Sequence, residues 1–203
     1  MEKRMTIAQA INQVLDQELA KDKKVFLMGE DIGKFGGCFG VTQGLYEKYG
    51  DERVIDTPIS EYGFCTMAVG ASILGMKPVV ELMFGDFISL CGDSFAGQAA
   101  TVHYVTNGRA TSPIVCRVPQ GLCGGAGIHH SRCTDSWFMN FPGIKIVAPS
   151  TPAEYAGLLR ASIQDPNPVL FLENKAMYDE EGMVPTEDDF VMSIGTAAVV
   201  KEG

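Results

Sequence analysis

Five short, largely apolar runs dominate the sequence, at 25–28, 78–84, 113–118, 144–148 and 168–172, and segments of helical periodicity lie between them. A short run without apolar/polar alternation is the pattern of a strand buried on both faces, so each run predicts a strand covered from two sides. From Thr6 the apolar residues Ile7, Ala10, Ile11, Val14 and Leu15 recur at helical spacing, and Thr6 with Gln9 forms a T-x-x-Q capping box, predicting a helix over about 6–20. Further helices are predicted over 61–74, stopped by Gly75, over 87–106, stopped near Gly108, and over 152–163. The last is opened by the Thr151/Glu154 box with Pro152 in its first turn. Alternation of this kind implies an α/β fold: a mostly parallel sheet with helices on both faces, in which ligands sit beyond the carboxyl ends of the strands.

The chain has 203 residues, 46% of them hydrophobic, enough for one sizeable core without disulfides or metal. Residues 1–178 read as one domain. From there the acidic, proline-interrupted stretch 179–203 reads as a surface connector; its last residues, from Ser193, turn apolar like the start of a strand, and a further domain is expected beyond it. With 16 Lys+Arg against 25 Asp+Glu the formal charge is -9, which leaves no basic footprint for nucleic acid or an anionic membrane. The apolar runs are too short to span a bilayer. Met1-Glu2-Lys3-Arg4 leads into the first helix without a signal or transit pattern, so a cytoplasmic address is expected. The cysteines at 38, 65, 91, 116, 123 and 133 form no C-x-x-C pair and read as reduced thiols, mostly buried.

The loops after strands are where chemistry is sought. Gly29 to Gly37 is glycine-rich, but neither phosphate-loop spacing fits it and Glu30 and Asp31 would repel phosphate, so it reads as a turn or contact loop. Asp56 to Ser60 leads from the strand-like 53–55 into the 61–74 helix, with Ser60 as a candidate N-cap. That places Glu61 at a helix start, either as a favourable partner of the helix dipole or as a functional carboxylate. The loop 119–127 leads into His129-His130-Ser131; adjacent histidines are a poor metal pair. One of them is suited to proton transfer, or both are loop residues bonded to backbone.

Val25 to Gly37, Arg53 to Gly63 (RVIDTPISEYG), Gly75 to Phe87 (GMKPVVELMFGDF), Pro113 to Gly121 and Pro142 to Tyr178 together resemble the β subunit of thiamine-diphosphate-dependent 2-oxo acid dehydrogenases, the pyruvate, branched-chain 2-oxo acid and acetoin enzymes. The resemblance runs nearly the whole chain in order and corresponds to the pyrimidine-binding domain of that subunit, without its C-terminal transketolase-type domain. It implies that Glu61 bonds the aminopyrimidine of thiamine diphosphate and promotes its imino form, and that Phe87 packs on that ring. His130 is implied as the active-site histidine serving proton transfer and handover to a lipoyl arm. Mg²⁺ and the diphosphate would be bound by an α subunit. Ile114, Ser162, Ile163, Asp165 and Asn167 match a loop set that in some relatives holds potassium, although Asp165-Pro166-Asn167-Pro168 also reads as an ordinary turn.

The chain departs from the family pattern at Ser94, Gly97 and Thr101, where Gln, Asn and Lys are usual, and at Arg132, where Gln is usual. These departures keep two other readings in view: the pyrimidine-binding half of a split transketolase-like transferase, for whose anionic substrates Arg132 would suit, and a non-catalytic assembly module. The implied partners are an α subunit and a lipoyl-bearing acyltransferase. Alone, a homodimer is expected through the helices near 61–74 and 87–106, using the small residues Gly63, Ala68, Gly70, Ala71, Gly97, Ala99 and Ala100. With the α subunit the expected assembly is a heterotetramer, α2β2.

Overall fold

The computed structural model describes residues 1–122, 124–199 and 201–202; Cys123 lies outside them. Six parallel strands form the central sheet: β2 (Val25–Gly29), β3 (Val54–Asp56), β4 (Lys77–Glu81), β5 (Val115–Gln120), β6 (Lys145–Val147) and β7 (Val169–Asn174), in the order β3-β2-β4-β5-β7-β6. The parity of each strand decides where its side chains go. Val25, Leu27, Val79, Val115, Val169 and Phe171 enter one core with helices α1 (Ile7–Lys21) and α5 (Pro152–Gln164). Phe26, Met28, Val80, Cys116, Val118, Leu170 and Leu172 enter the other, against α3 (Glu61–Ile73), which follows the short α2 (Leu45–Tyr49), and the segment 85–99. The expected fold class, a parallel sheet covered on both faces, is therefore present.

Both capping boxes form. Thr6 Oγ1 accepts from the Gln9 amide at 3.2 Å while Gln9 Oε1 accepts from the Thr6 amide at 3.0 Å, and the Thr151/Glu154 pair repeats the arrangement at 3.3 and 3.1 Å. Ser60 occupies the N-cap position of α3, but its side chain makes no capping hydrogen bond.

Three expectations are corrected. The helix expected over 87–106 breaks into a 3₁₀ turn (Gly85–Cys91), a π turn (Asp93–Ala99) and the short α4 (Val102–Val105). Hydroxyl back-bonding accompanies the break: Thr101 Oγ1 donates to the Gly97 carbonyl at 2.7 Å and Thr106 Oγ1 to that of Val102 at 2.7 Å. At Gly97 a Cβ would lie 2.3 Å from the Asp93 carboxylate, so a side chain there would require Asp93 to shift. The acidic stretch after 178 is more than a connector, because β8 (Glu181–Pro185) pairs antiparallel with β1 (Glu2–Thr6), neither of which was expected. Its Val184 is fully buried in the α1/α5 core. No strand forms among the described residues after Ser193.

The five described cysteines are free thiols; Cys65, Cys91 and Cys116 are buried, Cys38 and Cys133 exposed. Among the small residues named for a homodimer contact, Ala68, Ala99 and Ala100 are buried within this chain, leaving Gly70 and Gly97 exposed on that face. Exposed Tyr62, Met67, Leu90, Tyr104 and Val105 lie in the same two segments.

Candidate active site

Parallel strands deliver their carboxyl ends to one edge, and the loops that follow β2, β3, β4, β5 and β7 all open there. From β2 comes Glu30; from β3, through 57–60, comes Glu61 at the first position of α3. Both carboxylates are buried, at 5% and 6% exposure. Burial, joined by the negative charge of Glu61 and then of Asp31, holds the Glu30 carboxyl above the usual carboxylate range, against a hydrogen bond from the Ser60 backbone. Glu30 Oε1 is buried without a hydrogen-bond partner among the described residues. The β2 end is set tightly against β4: a Cβ on Gly29 would stand 2.6 Å from the Glu81 carbonyl, so only glycine fits.

From β4 and β5 come an aromatic group and a histidine. Phe84 and Phe87 meet edge to face with ring centroids 5.8 Å apart. His130, which ends the loop after β5, stands against both, 4.4 Å from Phe84 and 5.5 Å from Phe87, also edge to face. From β7 comes Lys175, whose ammonium lies 4.9 Å from the Phe84 ring centroid and donates to the His130 carbonyl. Thus the structure brings Phe87 and His130 into one cluster, and Glu61 into a second with Glu30. The two clusters share the same sheet edge, where α3 packs on the Gly85–Cys91 turn. His129 is exposed.

Beneath this edge lies a buried charge network with no counterpart in the expectations. Arg117, on the central strand β5, donates Nε to Glu173 Oε1 at 2.7 Å and Nη2 to Glu173 Oε2 at 2.8 Å, and Nη1 to Glu81 on the other side. Tyr178 closes it with a 2.5 Å hydrogen bond to Glu173. Burial pushes the Glu81 carboxyl up despite Arg117, and pushes the Tyr178 phenol well up with the help of Glu173. Tyr178 then meets Phe39 in a tilted contact at 5.2 Å, and Phe39 meets Phe84 edge to face at 6.0 Å, so the network connects by side-chain contact to the histidine cluster.

The profile "Transketolase, pyrimidine binding domain" matches residues 3–180. The chain belongs to this pyrimidine-binding domain family. It is 43% identical over 204 residues to the pyruvate dehydrogenase E1 component subunit beta-1, mitochondrial, of Arabidopsis thaliana, covering 99% of this chain and 56% of that protein. It is 41% identical to the pyruvate dehydrogenase E1 component subunit beta of Rhizobium meliloti (strain 1021), covering 98% and 43%. The chain thus spans about half the length of the curated relatives it matches. A solved split-gene transketolase, described as an inactive beta4 tetramer, shares the fold with a TM-score of 0.73 at 17% identity, over 98% of this chain and 60% of that one.

In this pyrimidine-binding domain the loop set expected for potassium forms a corner between α5 and the starts of β5 and β7. The Ser162 carbonyl accepts from the Asp165 amide at 3.3 Å and the Ile114 carbonyl from the Val169 amide at 2.9 Å. Asp165 Oδ1 accepts from the Asn167 amide at 2.9 Å, its other oxygen is held by Lys145, and the Ile163 side chain is buried in the core. Among the departures, Ser94 Oγ shares a 2.8 Å hydrogen bond with Thr66 on α3. Arg132 is 3.2 Å from the buried Asp86, which also accepts from the Arg132 amide at 3.2 Å, so Arg132 braces the end of the loop carrying His130.

Proposed function

We propose that the chain is the pyrimidine-binding part of the β subunit of the decarboxylating component of a 2-oxo acid or acetoin dehydrogenase complex, dependent on thiamine diphosphate. One observation carries the reading: the buried Glu61, aimed from the first turn of α3 beside Glu30, shares a sheet edge with Phe87, which the family resemblance assigns to the cofactor, and with His130, which it assigns to proton transfer. The donor set fits an aminopyrimidine. Two buried carboxyls, one with an oxygen lacking a partner, can accept and share a proton with a ring nitrogen, and Phe87, half-buried, offers a flat apolar face.

When bound, thiamine diphosphate supplies the carbon nucleophile that cleaves the bond beside a 2-oxo group. Glu61 holds the proton shared with the ring nitrogen. Glu30, kept above the ordinary carboxylate range by burial and by the charge of Glu61, retains its proton to higher pH than an exposed carboxylate would. His130 gives or takes the proton of the substrate oxygen and faces the arriving lipoyl arm. Phe84 and Phe87 keep water from one side of that histidine.

The α subunit holds the diphosphate and Mg²⁺, a lipoyl-bearing acyltransferase receives the acyl group, and the assembly is α2β2 in the cytoplasm. The oxygen-only corner at Ile114, Ser162, Ile163, Asp165 and Asn167 suits a hard cation such as potassium, with the Lys145 ammonium sharing the Asp165 carboxylate. In the complex reconstituted with an α subunit, Glu61→Gln is expected to lower 2-oxo acid decarboxylation by about 100-fold or more while the melting curve of the chain is retained. Unchanged turnover would refute the proposal.

A further inference from the structure

The segment that presents His130 is glycine-rich and exposed. Gly121, Gly124, Gly125 and Gly127 all have positive φ, and the described residues from Leu122 to His129 are exposed. Its internal hydrogen bonds are local: Ser131 Oγ to the Gly127 carbonyl at 2.7 Å and the His130 amide to the same carbonyl at 3.3 Å. Its base is closed by the Gly121 amide on the Arg132 carbonyl at 3.2 Å and by Asp86 on Arg132. None of these fixes the imidazole itself. Proton transfer requires the ring to be held in one place, so the orienting contacts must come from outside the loop.

From the geometry we infer that Lys175 is the positioning residue for His130, acting with Phe84 as a clamp. Lys175 follows the last residue of β7, and Asn174 caps its turn by accepting from the Ala176 amide at 3.1 Å, so its backbone is fixed by the sheet. The side chain is 4% exposed. Its ammonium takes hold of the loop at the His130 carbonyl while resting over the Phe84 face, and the His130 ring stands on that same Phe84, 4.4 Å away. One cation therefore binds both the main chain of His130 and the platform under its ring. Charge-assisted hydrogen bonds and cation–π contacts strengthen when water is excluded, which is the situation of a buried lysine. The Phe84 platform is in turn braced through Phe39 by Tyr178, tied to the Arg117 network. The histidine is thereby referenced to the rigid sheet, although its own loop is not.

This inference rests on the role of His130 proposed above, and its test separates the two. In the proton NMR spectrum of the 203-residue chain, the ring resonances of the three histidines are assigned with His130→Gln and His129→Gln. The His130 resonance is displaced by the ring currents of Phe84 and Phe87. Lys175→Met is expected to move it onto the position of the exposed His129, and Lys175→Arg, which keeps a cation and donor, to leave it in place. Should Lys175→Met fail to fold by its melting curve, Lys175→Gln carries the same reading. In the reconstituted complex Lys175→Met should lower kcat by about 10- to 100-fold with KM unchanged, and Lys175→Arg should restore most of it. A His130 resonance unmoved by the loss of the ammonium would overturn the clamp. A moved resonance with undiminished turnover would leave the clamp standing and overturn the role of His130.

Discussion

Replacing Arg117 by Met removes the cation that touches both Glu81 and Glu173 in the interior of the sheet. The side chains of Arg117, Glu173 and Glu81 are 1%, 0% and 7% exposed, so solvent cannot take over from the lost guanidinium. Breaking a buried pair by removing one partner costs about 3–5 kcal/mol, because the remaining charge is left uncompensated. Here two carboxylates are left, so the upper end applies. At about 2–4 °C per kcal/mol for a chain of this size, Arg117→Met should melt roughly 10–20 °C below the parent. The penalty also carries a pH signature. Burial already holds the Glu81 carboxyl above its ordinary range with Arg117 present, and without Arg117 its folded pKa rises further. A carboxyl whose folded pKa exceeds its unfolded one destabilises nothing below the unfolded pKa, and destabilises increasingly as pH rises through the folded one. The deficit of Arg117→Met should therefore be largest near pH 8 and shrink toward about pH 5, where Glu81 can be buried neutral. Arg117→Lys, which keeps a charge but not the two-pronged grip on Glu173, should fall between the two. Melting by circular dichroism across that pH range measures both effects. A deficit below about 1 kcal/mol, or one of equal size at both ends of the range, would refute the assignment of Arg117 as the charge that stabilises the sheet interior.

Two further outcomes follow from the surface and the β1/β8 pairing. Light scattering on the isolated chain at micromolar concentration should give about twice the single-chain mass, because the face bearing Tyr62, Met67, Leu90, Tyr104 and Val105 leaves large apolar groups exposed; a monomer mass would refute the homodimer. A chain ending at Tyr178 should lose on the order of 5 kcal/mol, since it gives up the burial of Val184, the ladder to β1 and the Phe190 carbonyl that accepts from Arg160 at 2.6 Å; an unchanged melting curve would restore the view of 179–203 as a mere connector.

What could be read from the residues was what local periodicity dictates. Apolar runs mark five of the six central strands and the strand-like 53–55 the sixth, and capping boxes mark the start of α1 and α5 to within a residue, because these signals are written in neighbouring side chains. Over 87–106 the helical spacing is real, while hydroxyl back-bonding from Thr101 and Thr106 and the close approach of Asp93 to Gly97 accompany the break, and periodicity does not register them. The strands β1 and β8 escaped because each is short and largely polar, and their pairing joins residues some 180 positions apart. The Arg117 network was present in the sequence in an unread form. Glu81, Arg117 and Glu173 each interrupt or end an apolar run assigned to a strand buried on both faces, where an unpaired charge is untenable. Three charges of mixed sign on strands that neighbour one another require each other as partners, and only the strand order, which no local pattern states, was needed to pair them. The same holds for Lys175. A lysine directly after a doubly buried strand must take its charge to a nearby acceptor at the carboxyl edge of the sheet, and there it meets the carbonyl of His130. Charges that violate the apolar pattern of a parallel sheet thus point to the edge where its chemistry is assembled.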